Sequence, residues 1–285
     1  MTQYVAVNGN LIDRKNAYID IEDRGYQFGD GVYEVIRVYN GKMFTGNEHL
    51  ERLWKSASSI GITIPHSREE LKDLLEQLIQ KNKLSLGTVY LQYTRGIAPR
   101  KHPFPSDDVK PTLVAYTKEV GRPEEKLHSG IKAIQTEDIR WLRCDIKSLN
   151  LLGNLLANQK AAEAGCDEAI LNRDGRVTEG SHSNISIVKG GKIYTHPANN
   201  YILNGISRRV MLEICAREGI QVIEEPFTVK ELQDADEIFL TGTTVEVMPV
   251  IELDGKSAGG GKPGPVTRKL QNWFKAEIEN QCGRL

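Results

Sequence analysis

Residues 145–150 read DIKSLN, and the lysine in the middle decides how the rest of the chain is understood. Lys147 follows an alternating apolar stretch, IKAIQTEDIRWL (131–142). It precedes LLGNLLANQKAAEAG (151–165), whose apolar residues have helical spacing. A surface lysine ordinarily sits on the polar face of a helix. This one sits where a strand or loop turns into a mostly apolar helix. Partial desolvation at such a place favours nucleophilic chemistry. The alternative is a lysine snorkelling at a domain edge, and six residues alone do not separate the two.

Working outward, the chain has 285 residues, 39% hydrophobic and 26% charged, an ordinary globular composition with length for about two domains. Lys plus Arg is 37 against 38 Asp plus Glu, so no basic excess argues for nucleic acid as a partner. No apolar run approaches the roughly 20 residues of a membrane span. MTQYVAVNGN lacks the charged-then-apolar pattern of a signal peptide. Cys144, Cys166, Cys215 and Cys282 are scattered without metal-type pairing. They fit a reducing, cytoplasmic setting, and no metal is expected.

YVAVNGNLID (4–13) and GVYEVIRVYNGKMF (31–44) each place Asn-Gly between apolar runs, a hairpin signal. NEHLERLWKSASSIGI (47–62) puts Leu50, Leu53, Trp54 and Ala57 on one helical face, with Asn47 as its expected cap. In SREELKDLLEQLIQKN (67–82), Ser67 and Glu70 form a capping box ahead of a Leu71, Leu74, Leu75, Leu78 stripe. TVYLQYTRG and PTLVAYTKE then read as strands. The polar segment VGRPEEKLHSG is expected to join two domains. The spans are an N-terminal α/β domain at 1–120, a linker at 121–125 and a larger C-terminal domain at 126–285. Beyond it, strands and helices alternate irregularly, with helices at 150–164, 207–219 and about 265–280. Both halves are therefore mixed α/β rather than a regular βαβ array.

Four short stretches could carry chemistry. LNGISRRVML (203–212) runs a turn into a helix, whose free N–H groups and positive end suit a phosphate. In TGTTVEV (241–247), Gly242 permits close approach, and Thr243 and Thr244 offer hydroxyls and N–H donors. In VTEGSHSN (177–184), Glu179 stands among small donors and could pair with a cationic ring nitrogen. In TRGIAPRKHPFP (94–105), Arg100 and His102 could clamp a carboxylate. Each alone also fits an ordinary capped helix, polar turn or solvated loop. Together with the Lys147 amine they meet the demands of pyridoxal phosphate handling an amino acid.

The sequence resembles the class IV pyridoxal-phosphate aminotransferases of fold type IV, and among them the bacterial D-amino-acid branch. The carriers are DRGYQFGDGVYEVIRV, RLWKSA, YLQYTRGIAPRKHPFP, DIKSLNLLGNLLANQKAAEAG, EAILNRDGRVTEGSHSNI, NGISRRVML and TGTTVEVMPV, which cover nearly the whole chain. The resemblance implies two domains, the second larger and barrel-like in its mixed sheet. It implies that Lys147 holds the cofactor covalently and moves the proton, and that Glu179 pairs with the ring nitrogen. Arg52, Ile206, Ser207 and Thr243, with Thr244 nearby, match the phosphate-binding positions, and Leu203 the residue behind the ring. Tyr33, Arg100 and His102 match the trap for the substrate α-carboxylate, Arg100 and His102 reaching in from the second subunit of a homodimer. The implied reaction takes D-alanine and 2-oxoglutarate to pyruvate and D-glutamate. Branched-chain L-aminotransferases, 4-amino-4-deoxychorismate lyases and R-selective amine aminotransferases share the lysine and glutamate but not Arg-x-His. A phosphate-binding protein without turnover is the reading from another class. His182 and Gly242 stand where the family has serine, which leaves the tuning around the cofactor open.

Overall fold

The structure is a computed structural model and describes residues 3–285. The chain divides into two compact units. The first contains β1 (Tyr4–Val7), β2 (Asn10–Asp13), α1 (Arg24–Phe28), β3 (Gly31–Tyr39), β4 (Lys42–Met43), α2 (Gly46–Ser59), α3 (Arg68–Lys81), β5 (Gly87–Thr94) and β6 (Thr112–Glu119). Its sheet has the order β2-β1-β6-β5-β3-β4, and every pair is antiparallel. The β1–β2 connection is Asn8-Gly9, both with positive φ, as a two-residue hairpin turn requires. Leu50, Leu53 and Ala57 of α2 and Leu71, Leu75 and Leu78 of α3 pack on Val32, Ile36, Val38, Val89 and Leu91. The expected capping box opens α3, Glu70 N donating to Ser67 Oγ and Ser67 N to Glu70 Oε2. The expected Asn47 cap does not hold. α2 begins two residues earlier than that cap implies, at Gly46, after Thr45 in a left-handed backbone with no side-chain cap, and Thr45 N donates to Gln281 Oε1.

The second unit contains α4 (Glu124–Ser129), β7 (Ile131–Glu137), α5 (Leu152–Glu163), β8 (Glu168–Arg173), β9 (Arg176–Gly180), β10 (Asn184–Lys189), β11 (Lys192–Thr195), α6 (Ile206–Glu218), β12 (Val222–Glu224), α7 (Val229–Gln233), β13 (Glu237–Gly242), β14 (Glu246–Leu253), β15 (Lys256–Ser257) and most of α8 (Pro265–Cys282). Its sheet is mixed, in the order β12-β11-β10-β13-β14-β7-β8-β9, with β15 on β14. β7 runs parallel to β14 and β8, and β11 to β12, while the remaining pairs are antiparallel. Ile170, Val177, Ile185, Ile187, Ile238, Leu240, Met248 and Val250 form its core with Leu232 of α7.

The units are not two contiguous halves. The first runs to Gly121 and also takes in Ile146–Asn150 and Ile278–Leu285; the second is Arg122–Asp145 with Leu151–Glu277. A single cut would have put Lys147 in the second unit. Ile146 is instead buried in the first core, which draws its neighbours with it. The expected linker is also partly helical. Glu124 and Glu125 occupy the first turn of α4, where carboxylates suit the helix dipole, and Leu127 is buried.

Candidate functional site

In the first unit, 146–150 lies alongside the start of β3 through an antiparallel bridge between Val32 and Ser148. Tyr33 N donates to Lys147 O at 3.0 Å, Leu149 N to Gly31 O at 2.9 Å and Lys147 N to Ser56 Oγ at 3.2 Å. Two strand-like bonds and one helix hydroxyl therefore fix the lysine backbone. Its Nζ donates to the Tyr33 hydroxyl at 3.4 Å and lies 4.4 Å from the centre of that ring. Tyr33 in turn stacks on Tyr90, and Tyr90 on Tyr116.

Arg52 has its guanidinium on Glu34, donating from Nε to Oε1 at 2.7 Å and from Nη2 to Oε2 at 2.9 Å. His49 Nδ1 lies 2.7 Å from Glu34 Oε2. His49 and Arg52 are three residues apart on α2, so both face the same strand residue. Burial alone would push the Glu34 carboxyl up, but Arg52 and His49 outweigh it and hold it well below the usual carboxylate range. Burial pushes the His49 imidazole down, against the pull of Glu34. Sequence reasoning missed Glu34 and His49. A signal existed, because Glu34 is in phase with the inward Val32 and Ile36 of β3, and a carboxylate there needs a partner.

Arg100 and His102 lie on an exposed loop and do not meet Tyr33. Arg100 covers the Phe28 ring at 4.5 Å, and the His102 ring lies 5.8 Å from the same phenyl. The loop is anchored from beneath. Asp30 accepts from Arg24 Nε and Arg95 Nε, each at 2.8 Å, and Arg24 Nη1 donates to Lys101 O at 2.7 Å.

In the second unit, Glu179 is buried beside the end of β9. Asn184 Nδ2 donates to its Oε2 at 2.9 Å, Leu203 N to the same oxygen at 3.0 Å, and Arg140 Nη1 to Oε1. Burial dominates, and pushes the Glu179 carboxyl up to about 7 despite Arg140. The Arg140 charge is shared with a second carboxylate: its Nε and Nη2 each donate to Asp138 at 2.8 Å. Asn184 Nδ2 also donates to Leu203 O, so Glu179, Asn184 and Leu203 form one cluster. Sequence reasoning named Glu179 and Leu203 but neither Arg140 nor Asn184, which no local pattern ties to Glu179.

The phosphate-type donors expected from sequence flank this cluster. α6 starts at Ile206 after Gly205, which offers no side-chain cap, so the first-turn N–H groups of Ile206 and Ser207 have no such partner. A Cβ on Gly205 would lie 2.1 Å from Asn184 Oδ1, and one on Gly242 would lie 3.6 Å from Ser183. Both turns therefore abut the 183–184 segment. Thr243 and Thr244 are half-buried between β13 and β14. His182 has a partner of its own, Nδ1 lying 3.1 Å from the buried Glu168, which also accepts from Ser181 N and Ser183 Oγ.

The chain has relatives among known proteins. The family profile of amino-transferase class IV matches residues 31–253. A D-alanine aminotransferase of Listeria monocytogenes serotype 1/2a (strain 10403S) is 52% identical over 283 residues, 99% of this chain and 98% of that protein. The solved branched-chain aminotransferase of the thermophilic archaeon Thermoproteus uzoniensis, with norvaline, superposes with a TM-score of 0.90 at 28% identity, covering 99% of this chain and 96% of that one. The T.th. branched-chain amino acid aminotransferase with pyridoxamine 5'-phosphate gives a TM-score of 0.90 at 27% identity, covering 100% of this chain and 96% of that one.

Proposed function

The chain belongs to the class IV aminotransferases, and from that premise we propose a D-amino-acid aminotransferase in which Lys147 and Glu179 serve one pyridoxal phosphate. It moves an amino group reversibly, by a ping-pong route, from a D-amino acid to a 2-oxo acid. D-alanine and 2-oxoglutarate are the proposed pair, giving pyruvate and D-glutamate. The observation that carries the D-selective reading is the 52% identity, over nearly the full length, to a D-alanine aminotransferase in a chain that has Arg100 and His102.

The residues present fit the cofactor. Its aldehyde needs an amine, its ring nitrogen an anion and its phosphate a set of donors. In this reading Lys147 would supply the amine, the buried Glu179 the anion, and Ile206, Ser207, Thr243 and Thr244 with Arg52 the donors. When bound, the cofactor supplies a cationic ring that draws electron density from the substrate α-carbon. Glu179, ionised, would pair with the ring nitrogen and keep it protonated. The Lys147 amine, beside the Tyr33 hydroxyl, would act as the general base that takes the proton from the substrate α-carbon. As acid it would deliver that proton to the carbon that had carried the cofactor's aldehyde rather than back to the α-carbon, so that the substrate carbon becomes the one open to water and leaves as a 2-oxo acid. Leu203 would be the residue that backs the ring.

Arg100 and His102, with Tyr33, grip the substrate α-carboxylate, the first two acting in the site of a second copy. The exposed position of Arg100 on Phe28 supports this, as do Tyr18, Ile19, Ile21, Tyr26, Ile97 and Phe104, large apolar groups that stand exposed and suit a homodimer. The cytoplasm is the proposed compartment. All four cysteines are free, and no helix among the described residues is long and apolar enough to cross a membrane.

The test is optical and chemical. The purified protein should be yellow, with a visible band that D-alanine shifts and L-alanine does not. Borohydride reduction and peptide mapping should place the cofactor on Lys147, and Lys147→Ala should fold yet lose transamination. A label on another lysine would remove the assignment, and an equal response to L-alanine would favour the branched-chain alternative.

A further inference from the structure

Of the seven described non-glycine residues with a left-handed backbone, four are Asn or Asp in turns, which tolerate it. Glu246 is a different case. It has φ +56°, is buried, and pairs with Gly242 across the connection that carries Thr243 and Thr244. Glycine is the residue of least cost where a short connection closes in this backbone. A buried glutamate there has to be held by its side chain. Arg122 holds it with a bidentate fork, Nε to Oε1 and Nη2 to Oε2, both at 2.7 Å. Arg122 is the first residue of the second unit, and both partners lie within that unit.

We propose that Glu246, locked by Arg122, is a positioning residue that holds the Thr243–Thr244 turn in its phosphate-receiving shape. The fork fixes the carboxylate, the carboxylate fixes the left-handed backbone at Glu246, and that backbone sets the direction in which the three preceding residues leave β13. Glu246 need not touch the phosphate. The inference rests on the reading of Thr243 as a phosphate donor.

The full-length chain, stripped of cofactor, is titrated with pyridoxal 5'-phosphate and, separately, with pyridoxal, which has the same aldehyde and ring but no phosphate. Glu246→Asn keeps a residue that tolerates the backbone but cannot reach Arg122, and Glu246→Gly removes both strain and clamp. Both variants should weaken pyridoxal phosphate about tenfold to a hundredfold, the loss expected from a charge-assisted pair, and weaken pyridoxal less than about twofold. Thr243→Val should show the same selectivity. An equal loss for both ligands would mean a general structural role and overturn the proposal. Normal phosphate selectivity in both Glu246 variants beside a defective Thr243→Val would overturn it while leaving the phosphate reading intact. Normal selectivity in Thr243→Val would remove that reading and the proposal with it. Should Glu246→Gly fail to fold, Glu246→Asn and Arg122→Lys, whose point charge cannot form the fork, decide the same question.

Discussion

Replacing Glu179 by glutamine separates its electrostatics from its packing. In the cofactor-free chain burial displaces the carboxyl from 4.5 to about 7. A raised carboxyl means that the folded state holds a proton the unfolded state has released, so stability falls as pH rises between those values. At about 1.4 kcal/mol per unit, the fall is about 3 kcal/mol, complete above pH 7. Glu179→Gln cannot titrate. It also loses its charge contact with Arg140, but that loss is a constant offset once the parent is ionised and cannot create a slope of this sign. The assay is urea unfolding followed by circular dichroism at half-unit steps from pH 4 to 8.5, on parent and variant without cofactor. The parent should lose about 3 kcal/mol relative to the variant over this range. Loading with pyridoxal phosphate should abolish the slope, because a ring-nitrogen cation favours the ionised carboxylate. A parent-minus-variant difference that stays flat, or rises with pH, in the cofactor-free chain would refute the reasoning. A slope that survives loading would remove the pairing with the ring nitrogen.

Arg100→Ala should lower kcat/KM by about one to two decades, the loss of a contact of roughly 1.5–3 kcal/mol, while the resting spectrum barely changes. Arg100→Lys should restore only part of it. Mixing inactive Lys147→Ala subunits with weakened Arg100→Ala subunits should raise kcat/KM above that of the Arg100→Ala parent if Arg100 acts in the second subunit's site, and verified mixed dimers no better than that parent would place the clamp within one chain. Glu34→Gln should cost about 3 kcal/mol or more, as breaking one side of a buried ion pair does, read as a lowered urea midpoint. An unchanged midpoint would mean that Arg52 and His49 are satisfied without it.

Much of the local structure was legible because its signals are short-range. Asn8-Gly9 and Asn40-Gly41 need left-handed backbones that few other pairs accept, and Ser67 with Glu70 satisfies helix-end N–H groups that must otherwise find water. The cap of α2 was not legible, because the partner of Thr45 N is Gln281, far along the chain. The helix at 124–129 was hidden by its polarity, since one buried leucine gives no stripe. Among the candidate site residues, those carried by motifs could be named from sequence, and those joined to them only through another side chain could not. Arg140 reaches Glu179 across 39 positions, so its meaning exists only in the folded chain.

The scattered composition of the first unit has a consequence for how the protein is made. A ribosome delivers residues in order, and all six strands of the first sheet have been synthesised once residue 119 is made. The core beneath that sheet still lacks Ile146, and the unit lacks 278–285, whose Cys282, Gly283 and Arg284 carbonyls accept from the Asn40 amide. The earliest part of the chain to appear is thus among the last to be finished. During translation the nascent sheet waits, incompletely covered, for residues more than 150 positions downstream of its last strand. That interval is when such a surface is most open to wrong partners. The lysine segment arrives within it, so the strand-like bonds around Lys147 can form well before 278–285 complete the unit.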